Sequence, residues 1–217
     1  AYLKRHHSAA FAASLINSQP MGFYSANTIV QDAKRHGVEV RPIAIDRSDW
    51  DVTLERDDAC APFAMRLGFR LVKGLGEACA RRIERARKER GFTDLDDLAA
   101  RARLDRRELE TLAEAGALAS IVPERRHALW HVRAPRGEDL FEGKPLDEPG
   151  IELEPLSRAE QLVLDFDKTG VSVADHPMQI LRPKLPRAVR RSDEIARMKN
   201  GATVRTAGLV ICRQRPV

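Results

Sequence analysis

The chain has 217 residues, 43% hydrophobic, 32% charged and only 5% aromatic, with no apolar run long enough to span a membrane. That excludes a membrane-spanning helix and a single large aromatic-rich core, and it favours several small units with charged surfaces. A formal charge of +5 and a pI near 9.4 suit a polyanionic partner without demanding one. Cys60, Cys79 and Cys212 are few, odd in number and far apart, so neither a disulfide framework nor a cysteine zinc site is expected, and the reading is a reducing cytoplasm.

The fold class expected is mainly α with small β elements. In residues 1–62, Leu3, Phe11, Leu15 and Ile16 give a helical stripe that ends before Gln19-Pro20. Asn27 can cap a second helix bearing Ile29, Val30 and Ala33, which Gly37 stops. Val38–Ile45 alternates as a strand. Residues 63–122 read as a compact all-helical unit with a core of Leu67, Leu71, Ile83, Leu95, Leu98, Leu109 and Leu112. Thr93 precedes a short helix, and Asp105 with Glu108 makes an acidic capping box for another, closed by Gly116. Residues 123–185 read as a proline-rich linker that carries a helix from Arg158 to Phe166, ended by Thr169-Gly170. Residues 186–217 hold a strand over Thr203–Ile211, the first of a truncated OB-like barrel, with Arg205, Arg213 and Arg215 beside it. The chain opens without Met inside a helical run and stops directly after a strand, so both ends read as cut.

The most informative run is Leu71-Val72-Lys73-Gly74-Leu75-Gly76-Glu77, followed by Ala80 and Ile83 at helical spacing. Two glycines allow backbone angles closed to other residues and a close approach to a ligand. The amides of such a turn and of the next helix's first turn point outward, where they can bind a phosphate. Lys73, Arg81, Arg82, Arg85 and Lys88 would add charge to Gly74, Leu75 and Gly76, in a mode that reads the nucleic-acid backbone and not its bases. The competing reading is a packing turn whose flank is a solvated face with Glu77–Arg81 and Glu84–Lys88 pairs. Residues 106–116 suggest a second, degenerate hairpin with a structural role.

No catalytic centre or metal site emerges. Asp165 and Asp167 sit two apart on a helix and diverge, and Asp49-Trp50-Asp51 lacks a third carboxylate. His6, His7 and His176 have no metal-ligand spacing.

Ala1–His7, Phe11 and Leu15-Ile16-Asn17 resemble the distal fingers of bacterial C-family DNA polymerases, the family of the replicative alpha subunit. Leu67–Ile121 resembles the tandem helix-hairpin-helix module that follows those fingers, and Thr169-Gly170, His176-Pro177 and Ala202–Val210 resemble the approach to the OB domain. Gln19–Tyr24, Ser48–Asp51 and Arg213–Pro216 are closer to the error-prone, lesion-bypass branch. A helix-initial Tyr expected near Asp165-Phe166 is a departure. The resemblance implies synthesis across damaged template by a parent enzyme that uses dNTPs and Mg2+, a primer-template duplex as partner, and interaction with a sliding clamp and mutagenic-assembly accessory proteins. It also implies that the catalytic palm lies upstream, so no catalytic residue carries over and the fragment itself is expected to be inactive. The alternatives are a stand-alone, non-enzymatic helix-hairpin-helix/OB DNA-binding protein and an NAD-dependent DNA ligase. The cysteine zinc finger and adenylated-lysine motif of the ligases have no counterpart in the sequence.

Overall fold

A computed structural model describes residues 2–22, 24–58, 61–133 and 153–210. Phe23, Cys60, Cys212, Arg213, Arg215 and the prolines at 135, 145 and 149 lie outside the described residues. The chain divides at Val173–Ala174 into two compact units.

The first unit opens with α1 (Tyr2–His6), α2 (Ser8–Asn17) and α3 (Ala26–Arg35). Ser25, not Asn27, caps α3, its hydroxyl accepting the Thr28 amide. Gly37 ends it at φ +80°, with Val38 N–H returned to Ala33 and Gly37 N–H to Lys34, the Schellman arrangement. The expected strand shrinks to β1 (Val40–Arg41), because Pro42 has no N–H to give and Ile45 donates instead to the Ala117 carbonyl. β1 runs parallel to β3 (Ala64–Arg66), with Val40 opposite Met65, and β2 (Thr53–Glu55) runs antiparallel to β3 on its other side. Glu55 sits under two guanidiniums, accepting from Arg66 and Arg41 at 2.9 Å each. Burial raises its carboxyl pKa, but those hydrogen bonds outweigh it and hold the group below its ordinary range.

The all-helical reading of 63–122 therefore fails at its start. After β3 only one 3-10 turn forms, Phe69–Leu71, between extended Gly68 and Val72, because the amides of Phe69 and Arg70 go to the Asp49 and Trp50 carbonyls and not into a helix running through from Leu67. Gly68 permits that approach: a Cβ there would collide with the Trp50 and Asp51 backbone. Then follow α4 (Glu77–Glu89), α5 (Leu95–Ala102) and α6 (Arg106–Glu114). The capping box of Asp105 and Glu108 is present on α6. Of the expected core, Leu67, Ile83, Leu95, Leu98, Leu109 and Leu112 are buried and Leu71 is half-buried. One apolar core runs from Ala9 to Val171.

The stretch read as linker begins with a helix, α7 (Arg125–Arg133), packed along α6 with Ala128 and Val132 buried. Pro123 lies ahead of it and does not enter it. α8 (Arg158–Lys168) carries the capping box of Ser157 and Glu160. The second unit holds α9 (Pro177–Leu181), β4 (Val189–Arg190), α10 (Ser192–Ile195) and β5 (Arg205–Thr206). β5, two residues of the expected longer strand, pairs in parallel with β4.

Candidate nucleic-acid interface

Everything at this site follows from one backbone reversal. Gly74 takes φ +87°, a conformation an L side chain rarely adopts, and turns the chain from the 3-10 turn into α4. Val72 and Leu75 are buried on either side of the reversal, so the turn is anchored by its apolar residues and its glycines face solvent. Gly76 is the N-cap of α4 at φ −82°, ψ 151°, with no side chain to cap the helix. Among the described residues, the amides of Gly74, Gly76, Glu77 and Ala78 meet no acceptor. They stand at the positive end of a helix of 13 residues.

The predicted cations divide. Lys73 is turned away to α8, whose C-terminal carbonyls it satisfies: its amide donates to Lys168 at 2.8 Å and its ammonium to Phe166 at 3.3 Å. Arg82 does not fan outward. It lies against α6, with one guanidinium nitrogen 2.7 Å from each oxygen of Glu108 and Nε on the Ala102 carbonyl. Arg81 is held by Glu77 and Glu84, at 3.0 and 2.9 Å. The expected Glu84–Lys88 pair is absent, because Glu84 turns inward to accept the Trp50 amide at 2.7 Å. Arg85 gives one N–H to the Arg81 carbonyl and meets no carboxylate among the described residues, nor does Lys88. Both side chains are exposed on α4. The outward face thus offers four amides, Arg85, Lys88 and the solvent edge of Arg81.

A second helical pair stands behind this turn. α6 ends in another Schellman turn, with Ala117 N–H to Leu112 and Gly116 N–H to Ala113, Gly116 at φ +72°. Arg125 of α7 lies over Gly116, where a Cβ would strike its guanidinium, and reaches Asp165 of α8 at 2.8 Å. Lys168 meets Glu114 at 2.9 Å. The degenerate hairpin read at 106–116 is therefore completed by α7. The signal for these links was slight, since Arg125 and Asp165 are 40 residues apart.

The remaining candidates for chemistry are engaged in the scaffold. Asp49 pairs with Arg87 at 2.6 Å, Asp51 with Arg70 at 2.7 Å, and Asp167 with Lys168 at 3.3 Å. Burial, with Glu108 nearby, pushes the Cys79 thiol up to about 12, so it is protonated at neutral pH. Among the described residues, no three His, Cys, Asp or Glu side chains are placed to hold a metal, and no helix is long and apolar enough to cross a membrane.

Residues 37–128 match the family model described as a helix-hairpin-helix motif. Over 99% of its length the chain is 46% identical to an "Error-prone DNA polymerase" of Pseudomonas paraeruginosa, covering 21% of that protein. Proteins of the same name from Methylococcus capsulatus and Azoarcus sp. are 43% and 46% identical over the whole chain, which covers 22% and 21% of them. The chain spans about a fifth of the length of the curated relatives it matches. End to end, then, the chain is similar to about one fifth of the proteins named error-prone DNA polymerase, and that stretch contains a helix-hairpin-helix motif.

Proposed function

We propose that this chain is the part of a lesion-bypass DNA polymerase that grips duplex DNA by its phosphates, without a catalytic centre of its own. The observation that carries the reading is the row of unaccepted amides at Gly74, Gly76, Glu77 and Ala78, inside a stretch that matches a helix-hairpin-helix motif. Backbone amides at a helix start bind phosphate without reading sequence, which suits a polymerase that must hold any template. The parent enzyme would supply the palm, Mg2+ and dNTP sites. The sliding clamp and accessory proteins would be its partners, in the cytoplasm.

Fluorescence anisotropy with a labelled duplex over a salt series tests the grip. Neutralising ~3 phosphates gives a slope of log affinity against log salt of about −3. Arg85→Ala and Lys88→Ala should each flatten that slope by roughly one, alike for every duplex sequence. Arg82→Ala should lower stability because Glu108 is left without its partner, with little change in slope. Unaltered affinity in both Arg85→Ala and Lys88→Ala would leave the hairpin as a packing turn.

A further inference from the structure

The groove between α2 and α3 has no part in the hairpin reading. A cavity of about 360 Å³ opens there over an apolar floor of Phe11, Leu15 and Ile29. Tyr24 stands at its rim, 63% exposed. A neighbouring cavity of about 400 Å³ shares Lys4, Ser8 and His36 with it and adds Arg5. The volume is that of a small-ligand site, and the floor is too apolar to serve a solvated face.

Charge says what kind of occupant fits. Residues 2–36 carry four lysines and arginines against one carboxylate, Asp32, together with three histidines. Lys4 takes that carboxylate at 2.9 Å, and its hydrogen bond holds the Asp32 carboxyl below the usual range. Arg35 approaches Asp32 only to 3.9 Å and its side chain is 72% exposed, while Arg5 meets no carboxylate among the described residues. Tyr2, also exposed, lies against His6 with ring centroids 4.5 Å apart and the rings tilted by 36°. An occupant must therefore bring flat apolar faces and negative charge together. A duplex hides its base faces in its own stack, and an acidic peptide brings a planar face only where it carries an aromatic residue. An unpaired nucleic-acid strand has both, with a face set beside every phosphate.

We infer that the α2–α3 groove binds unpaired nucleic acid, one base lying over Phe11 and Leu15 against Tyr24, with phosphates met by Lys4, Arg5 and Arg35. Stacking on an aromatic rim inside a basic frame is how sequence-tolerant strand binding is built. The site is separate from the hairpin and does not depend on its grip on duplex.

The test uses the 217-residue chain, with labelled oligothymidylate of about 12 nucleotides and a duplex of equal length. Tyr24→Ala should weaken oligothymidylate binding about tenfold and Tyr24→Phe should restore it, because the ring and not the hydroxyl is used. Arg35→Glu should weaken it further and flatten the strand's salt slope by about 0.7 for each phosphate no longer neutralised. Neither change should move duplex affinity, whereas Lys88→Ala should move duplex affinity first. Both side chains are exposed, so circular dichroism should stay unchanged. Wild-type oligothymidylate affinity in Tyr24→Ala and Arg35→Glu would overturn the inference. So would equal losses for strand and duplex, which would mark a plain polyanion surface. Competition by polyglutamate as strong as by oligothymidylate would assign the groove to a protein partner and overturn it too. If Arg85→Ala and Lys88→Ala are both silent while Tyr24→Ala and Arg35→Glu are not, the hairpin reading fails and the groove stands.

Discussion

Replacing the hairpin glycines one at a time should move stability in opposite directions. At Gly74 a Cβ meets nothing within 4 Å, so the only cost of Gly74→Ala is the φ of +87°. Holding an L residue there costs about 1–2 kcal/mol. For a unit of this size each kcal/mol is worth about 2–4 °C, so the melting temperature should fall by roughly 2–8 °C. At Gly76 the backbone is extended, at φ −82° and ψ 151°, and again nothing lies within 4 Å of a Cβ. Gly76→Asp puts a carboxylate at the N-cap of α4, where it can accept first-turn amides and complement the helix dipole. Together these gains are worth about 1 kcal/mol, and the melting temperature should rise by about 2–4 °C. The same carboxylate fills the amides that a phosphate would use and repels it. At least two charge-assisted hydrogen bonds to the phosphate are forfeited, so duplex affinity should fall more than tenfold. Thermal unfolding by circular dichroism and duplex anisotropy read the two effects. A Gly76→Asp protein that melts lower, or binds duplex as before, would refute the reasoning, as would a Gly74→Ala protein of unchanged melting temperature.

Arg103 sits at φ +50° as the C-cap of α5, a left-handed position that strains a residue with a Cβ. Arg103→Gly should stabilise the protein by about 0.5–1 kcal/mol after the entropy gained by the unfolded chain, and a lower melting temperature would contradict this. Arg125→Ala leaves the Asp165 carboxylate, 18% exposed, without its partner, and should cost about 2–3 kcal/mol in urea unfolding. A cost under half of that would mean that Arg125 does not tie α7 to α8. Glu55 has a depressed folded pKa, so its contribution is present above its ordinary value of 4.5 and is lost as pH falls through the folded value. Glu55→Gln should therefore lower stability at pH 7 and make the loss below pH 4.5 shallower, and parallel pH profiles would count against the Arg41–Glu55–Arg66 cluster.

What was legible in the sequence was local. The capping box at Asp105 and Glu108, the stop at Gly37 and the reversal at Gly74 depend on residues within a few positions of one another, and each was readable as chemistry. The failures have partners far along the chain. Leu67–Val72 has apolar spacing suited to a helix, yet the amides of Phe69 and Arg70 go to Asp49 and Trp50, about 20 residues back. Arg82 is one cation in a basic run until Glu108, 26 residues on, draws it inward. Glu84 has helical spacing to Lys88, but Trp50 offers it a buried amide. Charge pattern says which pairs a helix can make with itself, not which it gives up to a neighbour. The site was legible as a turn and its amides. Which cations face outward was not.

Helix α8 lies beyond residue 128, where the helix-hairpin-helix match ends, yet it completes the bonding of both hairpins. Its last carbonyls take the amide and ammonium of Lys73, the residue next to Gly74, and its Asp165 and Lys168 take Arg125 and Glu114. A motif excised at the bounds of that match would carry four polar groups cut from their counterparts, two at each turn. Transplanting the hairpins onto another scaffold thus requires residues 158–168 as well, and the smallest portable gripping unit is longer than the motif that names it.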